Sequence, residues 1–508
     1  DLTSGGTFDQ WSDDVRSFPV EVRDDEVWLD VAEHRNMHAV QQDRLRVGLE
    51  RDLSLVIGKA VLTLTDGDGD QVAPFRSGLE FGTRYRQQGW GQGLTMHVCT
   101  MNMLPFLTEE DRPRALYQGL SAVARDSFGH PARFCVRPLP GETPDVATLK
   151  SWFRQFVEVR DEEGAERCVV SALHAGATQE EVADMLFAAV TDHRYIDIGH
   201  PADFTNTALE ALDIAGWDLA ETVLTSLVRG YAMASRSEES NAWRYPIDLV
   251  SILETTFEQL AETVQLGGDA GGKWCGRDPL VETLLGDKPQ TTVDAMLDAL
   301  RAGCSMAELA QTVTYAAALR IARFHTSNEF GDWDTAIHTF TFANAVHQGL
   351  LRAPSIELLR GAFDAAMSVY LDRFLNIPAA RIPRASGTQS ATADQLDTLT
   401  ALLDRQQQVN QAAQVVADFA YGGGDPAALL DRIGALLLRE DRDFHTIQCV
   451  EAAFRQYDLL DGDLEAQTTV LIAAARYLAA HAPTVRAQGQ TYRIASRLHR
   501  GEELFEGE

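Results

Sequence analysis

Imidazole and carboxylate groups concentrate in residues 325–348, HTSNEFGDWDTAIHTFTFANAVHQ, which carry His325, His338 and His347 with Glu329, Asp332 and Asp334. These side chains bind iron and zinc, and histidine also passes protons near neutral pH. The stretch reads as a loop over 326–332 entering a helix near Trp333. At ~100° per residue, Asp334, His338, Thr341, Asn344 and Gln348 share a polar arc, and Asp334 and His338, four apart, can pair. His347 lies about 180° from His338, among Trp333, Ala336, Phe340 and Ala343. One straight helix therefore cannot bring both imidazoles to one ion. His347 is either a core histidine bonded to a polar group or a ligand facing a pocket shared with other helices.

A second concentration, residues 191–201, spaces His193, Asp197 and His200 as H-x-x-x-D-x-x-H. On an unbroken helix the three would share a face, as carboxylate and imidazole ligands of iron or zinc do. Gly199 and Pro201 favour the other reading, a polar helix end that runs into a loop. The candidate metal ligands are thus His193, Asp197, His200, Asp334, His338 and His347. His97, His130, His445 and His481 stand alone and read as structural. The chain has no glycine-rich phosphate loop, no G-x-S-x-G elbow and no H-E-x-x-H.

The elements that must position these groups are helices. From residue 36 onward amphipathic stretches follow one another, beginning with 36–64 and ending near 484–499. The acidic run at 66–70 lacks the glutamate that closes a calcium loop and reads as a connector. Two stretches read as linkers, 266–290 and 377–393, dividing the helical part into 32–265, 291–376 and 394–508. An internal duplication joins the first two parts. ALHAGATQEEVA (172–183) matches ALRAGCSMAELA (299–310), and each ends one helix at Ala-Gly and caps the next, Thr178 with Glu181 and Ser305 with Glu308. FTNTALEAL (204–212) matches FANAVHQGL (342–350), which sets Asn206 opposite Asn344 and Leu209 opposite His347. The two histidine-rich helix entries then hold matching places and could face each other across a pseudo-twofold. The expected fold is mainly α, an array of packed helical hairpins with internal duplication.

The net charge is −31, from 75 acidic against 44 basic residues, which repels phosphate backbones and anionic bilayers. Nucleic acid and membrane are therefore not expected partners. Six cysteines without a C-x-x-C pair point to reduced thiols and a cytoplasmic location.

Only residues 1–31 read as β. Val20 and Val22 alternate with charges, Asp24-Asp25 turn, and Val27, Leu29 and Val31 alternate back. The run Asp1-Leu2-Thr3-Ser4-Gly5-Gly6-Thr7-Phe8-Asp9, followed by FPVEVRDDEVWLDV, resembles the C-terminal end of a Rieske [2Fe–2S] domain. In that family a C-x-x-H box comes just before such a segment, and the cluster takes two thiolates and two imidazoles. Neither C-x-H nor C-x-x-H occurs in these 508 residues. The expectation is that the cluster ligands lie upstream of Asp1, the alternative being a hairpin remnant. The resemblance implies an oxidoreductase or electron-transfer component, working with an electron-transfer partner or a small-molecule substrate, and joined to a helical domain of unassigned chemistry. The alternative is a non-enzymatic helical binding or regulatory module whose Rieske-like part senses redox state.

Overall fold

The computed structural model describes residues 7, 11–12, 18–31, 37–67, 69–270, 274–384 and 390–502. Strand β1 (Val20–Arg23) pairs antiparallel with β2 (Glu26–Leu29), with Val20 opposite Leu29 and Val22 opposite Val27. Asp24 and Asp25 take positive φ (51° and 66°), as a two-residue hairpin loop requires. Asp1–Gly6, Phe8 and Asp9, which carry the resemblance to a cluster-binding turn, lie outside the described residues.

Beyond the hairpin the described chain holds twenty-four α-helices, so the fold is mainly α. None is long and apolar enough to cross a membrane. Both capping boxes of the duplication form. Thr178 Oγ1 accepts from the Glu181 N–H at 3.2 Å and Ser305 Oγ from the Glu308 N–H at 3.2 Å, and each glutamate carboxylate reaches back to its cap N–H. The preceding helices stop at Gly176 and Gly303, both at positive φ. The reading differs in two places, at 36–64 and at 266–290. The stretch 36–64 is two helices, Met37–Arg51 and Ser54–Leu64, because Asp52 turns left-handed between them. The glycine-containing stretch 266–290 includes the last five residues of helix Leu260–Ala270 and all of Arg277–Leu284. Residues 191–199 form no α-helix.

Four helices make the centre: α1 (Gln92–Asn102), α2 (His200–Ala215), α3 (Phe330–Arg352) and α4 (Phe444–Leu459). Each packs on the next and α4 closes back on α1, so they surround an axis. They run parallel. His200 meets His338 near one end while Arg352 pairs with Asp213 at the other, and His338 meets His445 where Asn344 meets Gln456 further on. Antiparallel outer helices, such as Ile356–Leu371 and Leu464–Ala480, pack outside them.

Parallel inner helices place equivalent positions at one level. Asn206 and Asn344 stand six residues after His200 and His338, as Glu451 does after His445. Asn102 of α1 donates to Glu451 of α4 (3.0 Å) and Glu210 of α2 (2.7 Å), its two neighbours in the ring. One level on, Glu210, Gln348 and Arg455 border a cavity of about 620 Å³. The polar arc of α3 thus faces the axis, not solvent. Asn344 is only 6% exposed, and burial of such a group is tolerated because Gln456 Nε2 donates to it at 2.8 Å.

Candidate metal centre

His200 is the first residue of α2, and the chain before it is strained. Tyr195, Asp197 and Ile198 all take positive φ (43°, 44° and 51°), and Gly199 follows at 101°. A β-branched residue in that region is a true outlier, and such strain persists only where the surroundings impose it. Here they do. The Asp197 N–H donates to the Ser235 carbonyl (2.8 Å), Ser237 Oγ donates to the Tyr195 carbonyl (2.8 Å), and Arg194 forms a buried ion pair with Asp364 (2.9 Å). At Gly199 a Cβ would come within 2.7 Å of the Phe342 Cβ. The turn therefore seats the N-terminus of α2 directly against α3. Pro201, read from sequence as a break, instead starts the helix, where a missing N–H costs nothing.

That seating brings His200, His338 and His445 together. One ring nitrogen from each lies within 4.8 Å of the others, and the Nε2 atoms of His338 and His445 are 3.1 Å apart. A metal at ~2.1 Å from each nitrogen needs nitrogens about 3.4 Å apart, which small ring rotations supply. The remaining ring nitrogens fix the tautomers. His338 Nδ1 lies 2.6 Å from the Asp334 carbonyl, which can only accept, so Nδ1 carries the proton and Nε2 presents a lone pair. His200 Nδ1 faces Asp203 Oδ2 at 3.3 Å, which leaves its Nε2 for the cluster. A carboxylate or carbonyl behind a ligating imidazole is the arrangement that orients metal-bound histidines.

Burial, with the neighbouring imidazoles, pulls His338 down to about 3, and burial lowers His445. Both are neutral and ready to coordinate at physiological pH. Burial also opposes charge on His200, but the Asp203 carboxylate outweighs it and His200 is raised. Asp203 is itself raised by burial, and its Oδ1 has no hydrogen-bond partner. The rings of Phe204 and Phe444 pack on His200, and Phe444 also covers His445 at 4.2 Å. Beside the cluster, Tyr477 donates to Asp334 Oδ1 at 2.8 Å.

Of the residues read as ligands from the sequence, His200 and His338 are brought together and Asp334 stands next to them. The others go elsewhere. His193 has both ring nitrogens engaged by carboxylates, Glu238 (2.7 Å) and Glu158 (2.8 Å), away from the cluster. Asp197 accepts from Ser235 Oγ (2.9 Å). His347, 2% exposed, takes a hydrogen bond from Gln456 Nε2 at 3.1 Å and is pulled down to about 4 by burial.

His445, read as structural, is the member of the cluster that the sequence reading missed. A signal was present. The register that sets Asn206 opposite Asn344 also sets His200 opposite His338, and His445-Thr446 opens its helix as His338-Thr339 opens the matching segment of α3. By the same count α1 offers Met96, while its neighbour His97 is turned to the Phe75 carbonyl at 2.9 Å. Comparison with protein-family models, curated proteins and solved structures gives no match.

Proposed function

We propose that His200, His338 and His445 hold one iron or zinc ion and that, with iron there, the chain is an oxidoreductase component whose centre takes single electrons from a Rieske-type partner domain. The convergence of three imidazoles from three inner helices, two of them with the opposite nitrogen held by an oxygen, carries the metal half of this reading. Three neutral nitrogen donors suit iron or zinc and leave coordination positions open, at which the ion would polarise or activate a small-molecule substrate. The protein's own part is to orient and to shield. Asp203 orients His200, the Asp334 carbonyl orients His338, and Phe204 and Phe444 keep water from one side. Tyr477, raised by burial, keeps its proton on the hydroxyl and presents it to Asp334 Oδ1.

The electron-transfer half rests on the resemblance of residues 1–31. No C-x-H or C-x-x-H box occurs in this sequence, so its own residues do not fit a Rieske cluster. All six cysteines are free thiols, in keeping with a cytoplasmic location.

Metal analysis tests the first half. Purified chain should carry up to one equivalent of iron or zinc, and His338→Ala and His445→Ala should abolish it while keeping the helical circular dichroism. His347→Leu should keep the metal. Metal retained by both alanine variants refutes the centre. For the second half, gene sequence encoding upstream residues should contain the two cluster boxes, and the reduced longer protein should give a Rieske electron paramagnetic resonance signal. Upstream residues without those boxes remove the electron supply and leave the metal centre standing.

A further inference from the structure

Among the described residues four arginines are buried: Arg194, Arg320, Arg442 and Arg476. The first three have a carboxylate. Arg194 pairs with Asp364 at 2.9 Å, Arg442 with Glu440 at 3.1 Å, and Arg320 lies in the field of Asp372. Arg476, 0% exposed, has only neutral partners, the Asn410 side-chain oxygen (2.7 Å) and the Phe324 carbonyl (2.6 Å). Its Nε–H has no acceptor at all. Burial alone pulls it down to about 10, with no anion to offset the loss of water. An uncompensated buried cation is among the costliest groups a fold can hold, and proteins normally pair it or bind an anion to it.

Arg476 lines a cavity of about 660 Å³, together with Arg381, Arg384, His325, Asn410 and Gln414. Among the described residues lining it there is no carboxylate, although acidic residues outnumber basic ones 75 to 44 in the chain. Arg381 and Arg384 sit on an extended segment that is tied down where the Ala380 N–H donates to the Arg323 carbonyl at 2.8 Å. Neither arginine makes an ion pair among the described residues. Planar guanidinium groups arrayed around a hollow match the paired oxygens of carboxylate and phosphate. We propose that this cavity, where buried Arg476 meets Arg381 and Arg384 with no acid to balance them, binds a small polyanion bearing carboxylate or phosphate groups.

The site is separate from the histidine cluster. None of the three clustered histidines lines it. The test uses the full chain, dialysed against EDTA so that chelation at the histidines contributes nothing. Inorganic phosphate, pyrophosphate, succinate and citrate are each titrated by calorimetry and thermal unfolding, against sodium chloride of matched ionic strength. At least one should bind saturably and raise the melting temperature beyond the chloride control. The phosphate and carboxylate arms identify the group preferred. The double variant Arg381→Ser/Arg384→Ser, on an exposed segment, should keep the fold and lose about tenfold or more in affinity. Arg476→Gln should abolish binding; if it fails to fold, the double variant decides. No probe exceeding the chloride control at roughly 10 mM, or unchanged binding by the double variant, overturns the proposal.

Discussion

Asp203 faces His200 Nδ1 beside the proposed ion, and its carboxylate favours the charged imidazole, so this pair ties the centre to pH. His200 is raised above its ordinary 6.5, so without metal its charged form adds stability at low pH that is lost as pH rises through the raised value. A metal needs the neutral ring. Affinity should therefore climb as pH rises through that same value, and uptake near pH 6.5 should release about one proton per ion. Asp203→Asn should weaken metal binding by about 10- to 100-fold and reduce the proton released, both readable by titration calorimetry in buffers of different ionisation heat. Unaltered affinity and proton release would show that Asp203 does not orient the ligand. At this scale the sequence was partly legible. His200 and His338 were marked by acidic neighbours, but His445 has no spacing motif around it. His347 attracted notice by being polar on an apolar arc, and Gln456, 109 residues away, explains it without a metal.

Helix boundaries were legible where a local cap sets them, as at Thr178–Glu181 and Ser305–Glu308. They were not legible at residues 191–199, where packing against Ser235, Ser237 and Phe342 overrides local preference. Two substitutions separate strain from position. Ile198 is 44% exposed, so Ile198→Asn gives up little burial and places in the left-handed region a residue that tolerates it. It should stabilise the protein by about 1 kcal/mol with metal content unchanged. Gly199→Ala adds a Cβ at 2.7 Å from Phe342 in a backbone at φ 101°. It should cost about 3 kcal/mol or more and lower metal occupancy, because α2 must back away from α3. Thermal unfolding and metal analysis of both variants check the pair. An alanine variant with full stability would mean that the contact is soft.

For the whole molecule, the sequence pointed to an all-helical array with a repeat but not to its closure. Pattern reports which face of a helix is polar; it does not report that four such faces meet around an axis, where polar groups can be buried if they satisfy one another. The cluster ties together helices that begin at His200, Phe330 and Phe444. An ion bound there links distant segments and should stabilise the fold by mass action, by about 2.7 kcal/mol at a free concentration a hundred times Kd. Removing it with a chelator should lower the melting temperature, and His445→Ala should abolish the difference. Equal melting temperatures with and without zinc in the unaltered chain would argue against a shared ion.

Because each histidine comes from a different inner helix, the order of synthesis matters. A ribosome releases His200 and then His338 well before His445, and two imidazoles alone make a weak and unselective chelate. Tight capture of the proposed ion would have to wait until α4 has been made and has closed the ring against α1 and α3. A loaded molecule is thus one that has been translated past residue 445 and correctly folded, so occupancy reports completeness as well as metal supply.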